Sequence, residues 1–241
     1  MPPRYGKSEI AVKMFISYGL AVNPSSKFVH LSYSDDLARD NSETVRSLIL
    51  HDEFRRIFPY IELSQSSRSK KKWTTTDGGG VYATSTGGQI TGFGAGATDE
   101  LDEEIGNIAT QRFAGAIIID DPIKPEDALS DARREKINER FETTIRNRVN
   151  SRNTPIVIIM QRTHKHDLTG YLLEKEPGEW LVLSLPAIIT DEAGEHALWE
   201  FKHTLPELYK LREINRFVFE TQYMQNPMPL EGLLYDAGRW R

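Results

Sequence analysis

MPPRYGKS, Met1 to Ser8, opens the chain and sets how the rest is read, because Gly6, Lys7 and Ser8 form the end of a phosphate-binding loop. A glycine-containing turn that leads into a helix directs backbone N–H groups at phosphate oxygens. Lys7 adds positive charge at the β and γ positions, and the Ser8 hydroxyl is a ligand for Mg²⁺. A helix follows at once in SEIAVKMFISYGLA, with apolar side chains at Ile10, Met14, Ile16 and Leu20. The pattern departs from G-x-x-x-x-G-K-S/T at one place: Met1 stands where the first glycine is expected.

The partner of that loop is AIIIDD, Ala116 to Asp121. A short continuous apolar run ending in two carboxylates reads as a buried parallel strand that delivers acids to its carboxyl end, the edge where open α/β sheets bind ligands. In a nucleotide site Asp120 holds Mg²⁺ directly or through water, and Asp121 positions and polarises the attacking water. The same letters also fit a plain strand that ends in an Asp-Asp-Pro turn.

With 241 residues the chain is long enough for one large α/β domain. A formal net charge of -5 argues against a basic nucleic-acid-binding protein, so any nucleic-acid contact has to be a local patch or shared among subunits. The absence of cysteine removes disulfides and thiolate zinc sites and suits a reducing compartment. No apolar run reaches the roughly 18 residues of a membrane span, and no signal-peptide core is found, so the chain reads as cytoplasmic.

In order, KFVHLSYS (Lys27 to Ser34) alternates as a strand, and the next stretch from Asp35 is expected to run helical to about Phe58, where Pro59 ends it. Ser64 to Trp73 is polar and basic: its three lysines and Arg68 suit DNA phosphates, or a solvated loop. Lys72–Thr76 and Gly80–Ser85 read as a hairpin with Trp73 and Tyr82 as packing residues. Five glycines between Gly87 and Gly96 imply tight backbone geometry or flexible turns, and Thr98 to Ile105 is an acidic insert. Arg112 suits a local salt bridge, or an arginine finger reaching a neighbouring subunit's γ-phosphate.

Beyond the acids, a long charged helix is expected to end near Val149, with Ile137, Phe141, Ile145 and Val149 as its apolar stripe. Ile156 to Met160 reads as a second buried strand beside the first, so that Gln161 and Arg162 emerge at the same edge as the acids, where Gln161 is suited to sensing the γ-phosphate or making an ordinary strand-end hydrogen bond. His164 and His166 lack further ligands at metal-binding spacing; Asp167 instead caps a helix over LTGYLLEKE. Trp180 to Ile188 reads as another strand, Asp191 to Leu205 as loop, LPELYKLREI as helix, and Phe217, Phe219 and Tyr223 as core. The domain is expected to span 1–225, with 226–241 as a linker.

Four stretches in this order, PPRYGKS, IIIDDPIK, RTHKHDLTG and FETQYMQNP, resemble the ATPase portion of bacteriophage terminase large subunits over nearly the whole length. That resemblance implies an α/β, three-layer P-loop NTPase fold of the ASCE type with a mostly parallel central sheet. It implies an ATP- and Mg²⁺-dependent motor in the bacterial host cytoplasm that drives double-stranded DNA into a procapsid as a ring on the portal protein, with a small terminase subunit helping to select DNA. In these terms Arg4, Gly6, Lys7 and Ser8 hold the nucleotide, Ser8 and Asp120 the metal, and Asp121, Arg112 and Gln161 act in catalysis and coupling. Asp121 occupies a position where many relatives have glutamate, which shortens its reach by one methylene.

Two departures accompany the likeness. The family places a strand before the loop, whereas this sequence starts at the loop; the expectation is that Met1 is internal to a longer protein and that the chain as written binds ATP poorly. After the exit motif only Glu231 and Asp236 remain, too few carboxylates for the family's RNase H-like nuclease, so DNA cleavage is not expected. Other readings of the same site are a helicase or recombinase ATPase, or an inactive truncated prophage remnant.

Overall fold

A computed structural model describes residues 1–65, 69–90, 92–96 and 113–228. The chain divides into two compact units: Ser8–Ile123 with Glu139–Ile159, and Met1–Lys7 with Lys124–Asn138 and Met160–Arg241.

The first unit carries a five-stranded sheet of order β2-β3-β1-β4-β5, from β1 (Lys27–Ser32), β2 (Lys72–Thr74), β3 (Gly80–Ser85), β4 (Ile117–Asp120) and β5 (Ile156–Ile159). Every pairing is parallel except β2 with β3, and helices lie on both faces, so the class read from the sequence holds at the level of a mostly parallel α/β sheet. Parallel strands covered on both faces read as continuous apolar runs, and β4 is buried at every position for that reason. Glu9–Met14 forms a widened turn that continues into α1 (Phe15–Val22). Its Val12, Ile16 and Leu20 join Phe28, Val81, Ala116 and Ile118 in one core. Full burial of such side chains contributes about 1.5–3 kcal/mol each. Close approach of α1 to the sheet depends on Gly19, where an added Cβ would lie 2.5 Å from the Phe28 ring.

The helix expected to run unbroken to Phe58 is two, α2 (Asp35–Leu50) and α3 (Asp52–Ile57), because His51 between them is extended at φ -68°, ψ 143°. The hairpin forms as expected. Trp73 is fully buried and donates from Nε1 to Ser42 Oγ at 2.9 Å, while Tyr82 is half-buried and donates its hydroxyl to the Gln89 carbonyl. Of the three lysines, Lys70 pairs with Glu43 and Lys71 with Asp35, and Lys72 lies over the Phe93 ring.

The long helix after the acids is shorter and less regular than its stripe suggested. It comprises α4 (Asp131–Arg140), a widened turn Phe141–Ile145 and a tight turn Arg146–Arg148. Phe141 and Ile145 are buried, but Ile137 is only half-buried; the inward positions before them are Arg134 and Asn138. Spacing from 134 through 138, 141 and 145 is helical, so a polar start to the inward face hid it from an apolar search.

In the second unit, α5 (Leu168–Lys175) begins at Asp167 as expected. The strand expected over Trp180–Ile188 does not form: only β6 (Ile188–Asp191) is a strand, and Leu181 and Leu183 are exposed. The loop expected over Asp191–Leu205 contains β7 (Gly194–Ala197), which pairs antiparallel with β6. Helices α6 (Leu205–Ile214) and α7 (Arg216–Val218) follow, and Ala187, Ile188, Leu208 and Phe219 pack with Tyr5 into a core. Of the expected core aromatics Phe219 is buried, while Phe217 and Tyr223 are half-buried. No helix among the described residues is long and apolar enough to cross a membrane.

Candidate active site

The loop at the start of the chain contains two left-handed residues. Arg4 and Gly6 are both left-handed, at φ 62° and 82°, on either side of Tyr5. Alternation of this kind turns successive N–H groups toward one side, and Gly6 supplies the second reversal without a Cβ penalty. A Cβ built on Gly6 meets nothing within 4 Å, so the left-handed backbone, and not crowding, is what favours glycine there. Arg4 takes the same conformation with a side chain, at a cost of about 1–2 kcal/mol. Lys7 is largely buried at 8% exposure. Ser8 is already helical at φ -71°, ψ -31°, so its hydroxyl sits at the start of the helical run that ends at Val22.

The far end of α1 is fixed by how it meets the sheet. Gly19, near the far end of α1, packs on Phe28 and Phe113 at the start of β1 and before β4, and Asn23 donates to the Phe113 carbonyl. The run from Ser8 thus ends beside the amino ends of β1 and β4, whose opposite, carboxyl edge is the one at which open α/β sheets bind ligands.

That edge holds the acids. Asp120 is the last residue of β4 and only 1% exposed, in register with Ser32 on β1 and Ile159 on β5. Ser32, Ser85 and Asp120 therefore lie in one row across three strands. Ser32 Oγ is buried and makes no hydrogen bond, a polar atom available to a ligand at this row. Asp121 is left-handed at φ 45°, yet its N–H donates to the Ile159 carbonyl at 2.8 Å and its carbonyl accepts from Tyr33 N–H at 3.0 Å. Both neighbouring chains thus hold the strained residue in place, and aspartate tolerates this conformation better than most side chains. On the flank, Asp35 accepts from Ser85 N–H and Thr84 Oγ1. Burial pushes its carboxyl up, but those donors and Lys71 outweigh burial and hold it below the usual range.

Two residues further in, His30 is fully buried on β1, with Nε2 3.3 Å from Asn41 Nδ2. Burial outweighs a hydrogen bond with the Ile118 backbone and pulls its pKa down to about 4, so the ring is neutral at physiological pH.

β5 ends at this edge, and the chain passes into the second unit, where Gln161 is buried and its Oε1 makes no hydrogen bond. Arg162 does not extend as a free strand-end cation: its Nε donates to both oxygens of Asp167 at 3.0 and 2.9 Å. The Asp167 carboxylate is fully buried and also accepts from the N–H groups of Thr163, His164 and Gly170. The HKHD stretch is thereby a structural turn. His164 Nδ1 accepts from His166 N–H, and burial, then Arg134 and His166, push the His164 pKa down. No group of three or more His, Cys, Asp or Glu among the described residues is arranged to hold a metal ion. A Mg²⁺ held by Ser8, Asp120 and phosphate oxygens needs no such cage, because Mg²⁺ commonly takes one or two protein oxygens and completes its shell with phosphate and water.

Arg112, the insert Thr98–Ile105 and Arg68 lie outside the described residues. No protein-family model matches the chain, and no curated protein is significantly similar to it.

Two groups near the candidate site went unread in the sequence. Ser32 looked like one small residue in an alternating strand; only register puts it beside Asp120. Tyr5 filled a spacer position in the loop, yet it is buried, stacked on His203 and edge-on to Trp199. Burial, followed by the nearby Tyr223, pushes its hydroxyl up to about 12. Neither contact has a periodicity to betray it, since Tyr5 and His203 are 198 positions apart.

Proposed function

We propose that this chain is a P-loop ATPase of the ASCE type, the motor portion of a phage terminase large subunit that moves double-stranded DNA into a procapsid. One observation carries the reading: a buried acid, Asp120, followed by a left-handed, doubly anchored Asp121, ends an interior parallel strand at its carboxyl edge, where open α/β sheets bind ligands. The alternating left-handed residues of the loop support it, because they suit a triphosphate better than an ordinary turn.

The work then divides among the chain's residues. Backbone N–H groups from Arg4 to Lys7 and the Lys7 ammonium take the β- and γ-phosphates, and Arg4 adds a second cation. Ser8 Oγ and Asp120 would hold Mg²⁺, which when bound would supply positive charge against the phosphate oxygens. Asp121 accepts a hydrogen bond from the attacking water and orients it in line with the γ-phosphorus. Gln161, with its unsatisfied carbonyl oxygen, responds to the γ-phosphate. Arg112 is proposed as the trans-acting finger of a ring assembled on a portal, with a small terminase subunit choosing the DNA and the host cytoplasm as the setting.

Phosphate release at millimolar Mg-ATP tests the proposal in three proteins, the wild type, Lys7→Ala and Asp121→Ala. A rate in the wild type that falls by at least about a hundredfold in both variants is expected, as for loss of a positioned charge or base. Equal rates in all three overturn the assignment and favour an inactive remnant. Stimulation by duplex DNA supports a motor, and a further dependence on portal or procapsid separates packaging from unwinding or recombination.

A further inference from the structure

The second unit carries an unusual line of rings. Tyr5, in the phosphate loop itself, meets Trp199 edge-on with centroids 6.1 Å apart, and Trp199 stacks on Phe201 at 6.0 Å with an interplanar angle of 29°. Exposure climbs along the line from 2% at Tyr5 to 43% at Trp199 and 91% at Phe201. The outer two rings stand on a tight turn after β7 in which the N–H groups of Lys202 and His203 both donate to the Trp199 carbonyl. His203 in turn stacks on Tyr5, its Nδ1 3.1 Å from the Tyr5 hydroxyl, so the turn is fastened to the loop's own tyrosine.

A phenylalanine left almost wholly in water forgoes the transfer free energy that makes aromatic side chains useful inside proteins. Single exposed apolar residues are ordinary, but here the exposed ring is stacked, mounted on a hydrogen-bonded turn and linked through Trp199 to a residue of the phosphate loop. We propose that Trp199 and Phe201 form the base-binding part of the nucleotide site, stacking the purine of the nucleotide whose phosphates bind at Arg4–Lys7. This rests on the phosphate-loop reading above and adds to it the place of the base. Flat faces that are pre-positioned suit a nucleobase, because every base has a π face and no ordering of the rings is needed on binding. Stacking without a hydrogen-bonding edge is tolerant of base identity, so ATP and GTP bind similarly.

The test uses ligand-observed NMR with the full chain and millimolar Mg-ATP, Mg-GTP or Mg-tripolyphosphate. In the wild type, saturation of protein aromatic protons is expected to transfer to the base protons of both nucleotides. Phe201→Ala, at a position with almost no packing to lose, is expected to abolish that transfer and raise the Kd for both nucleotides about tenfold, a typical loss for one stacked base. Its Kd for Mg-tripolyphosphate stays unchanged, and Phe201→Tyr restores the wild-type values. Trp199→Phe, which keeps a ring against Tyr5, weakens nucleotide binding less than Phe201→Ala. Unchanged nucleotide binding in Phe201→Ala overturns the proposal, as does equal weakening of nucleotides and tripolyphosphate. A loss confined to single-stranded oligonucleotides would instead assign the rings to nucleic acid and also overturn it. Tripolyphosphate binding with no effect of Phe201 refutes the base site alone; absence of binding by both nucleotides and tripolyphosphate refutes the phosphate loop and the base site together.

Discussion

Acidification is expected to destabilise the sheet unit through one residue, His30. In the folded chain its pKa is about 4, against 6.5 in an unfolded one. Above about pH 7 the ring is neutral in both states and contributes no pH dependence. As the pH falls below 6.5 the unfolded chain takes up a proton that the buried ring refuses, so stability is lost, and the loss levels off once the folded ring titrates near pH 4. The slope approaches the value for one proton per pH unit within this window, and the accumulated loss at about pH 4.5 is about 2–3 kcal/mol. Urea unfolding followed by circular dichroism at about pH 7 and about pH 4.5, in the wild type and in His30→Gln, isolates the effect from the carboxylates common to both. Glutamine does not titrate and keeps a polar group near Asn41. The wild type should lose about 2–3 kcal/mol more than the variant on acidification. A difference under about 0.5 kcal/mol would refute the argument, and with it the claim that His30 is held neutral by burial.

Three other perturbations have definite outcomes. Asp167→Ala removes a fully buried carboxylate that serves Arg162 and three backbone N–H groups; chemical denaturation should register a loss of about 3–5 kcal/mol, and a loss below about 1 kcal/mol would show the hub to be expendable. Gly19→Ala drives a methyl group into Phe28 and Phe113 and should lower stability by about 1–3 kcal/mol, despite alanine's better helix propensity; a stabilised variant would contradict the packing. Replacing exposed Leu181 and Leu183 by lysine should leave unfolding free energy within about 0.5 kcal/mol of the wild type while reducing aggregation at high protein concentration by light scattering; a large destabilisation would mean these leucines are packed.

Much of the architecture was legible because its causes are local. Ala116 to Ile119 announce a buried parallel strand by being apolar throughout, and Asp167 announces a helix start by its position three residues before Gly170 N–H. Trp180–Ile188 misled for the converse reason: an apolar, β-prone string specifies extended backbone, but a strand also needs a partner, and here pairing starts only at Ile188. Arg134 and Asn138 misled in the other direction, since nothing in the letters says that an arginine will turn inward; its Nη1 does so by donating to the Ala128 carbonyl.

From its letters alone, the chain determined a mostly parallel α/β class, the helical run that follows the opening loop and the helix start at Asp167. Those properties depend on interactions within a few residues, which local patterning encodes. Folding alone decided that Ser32 stands beside Asp120, that Asp121 is bent left-handed between two neighbouring strands, and that Tyr5 meets Trp199 and His203. These are matters of register and packing between distant segments, and they are set by the free energy of the whole chain and not by any stretch of it.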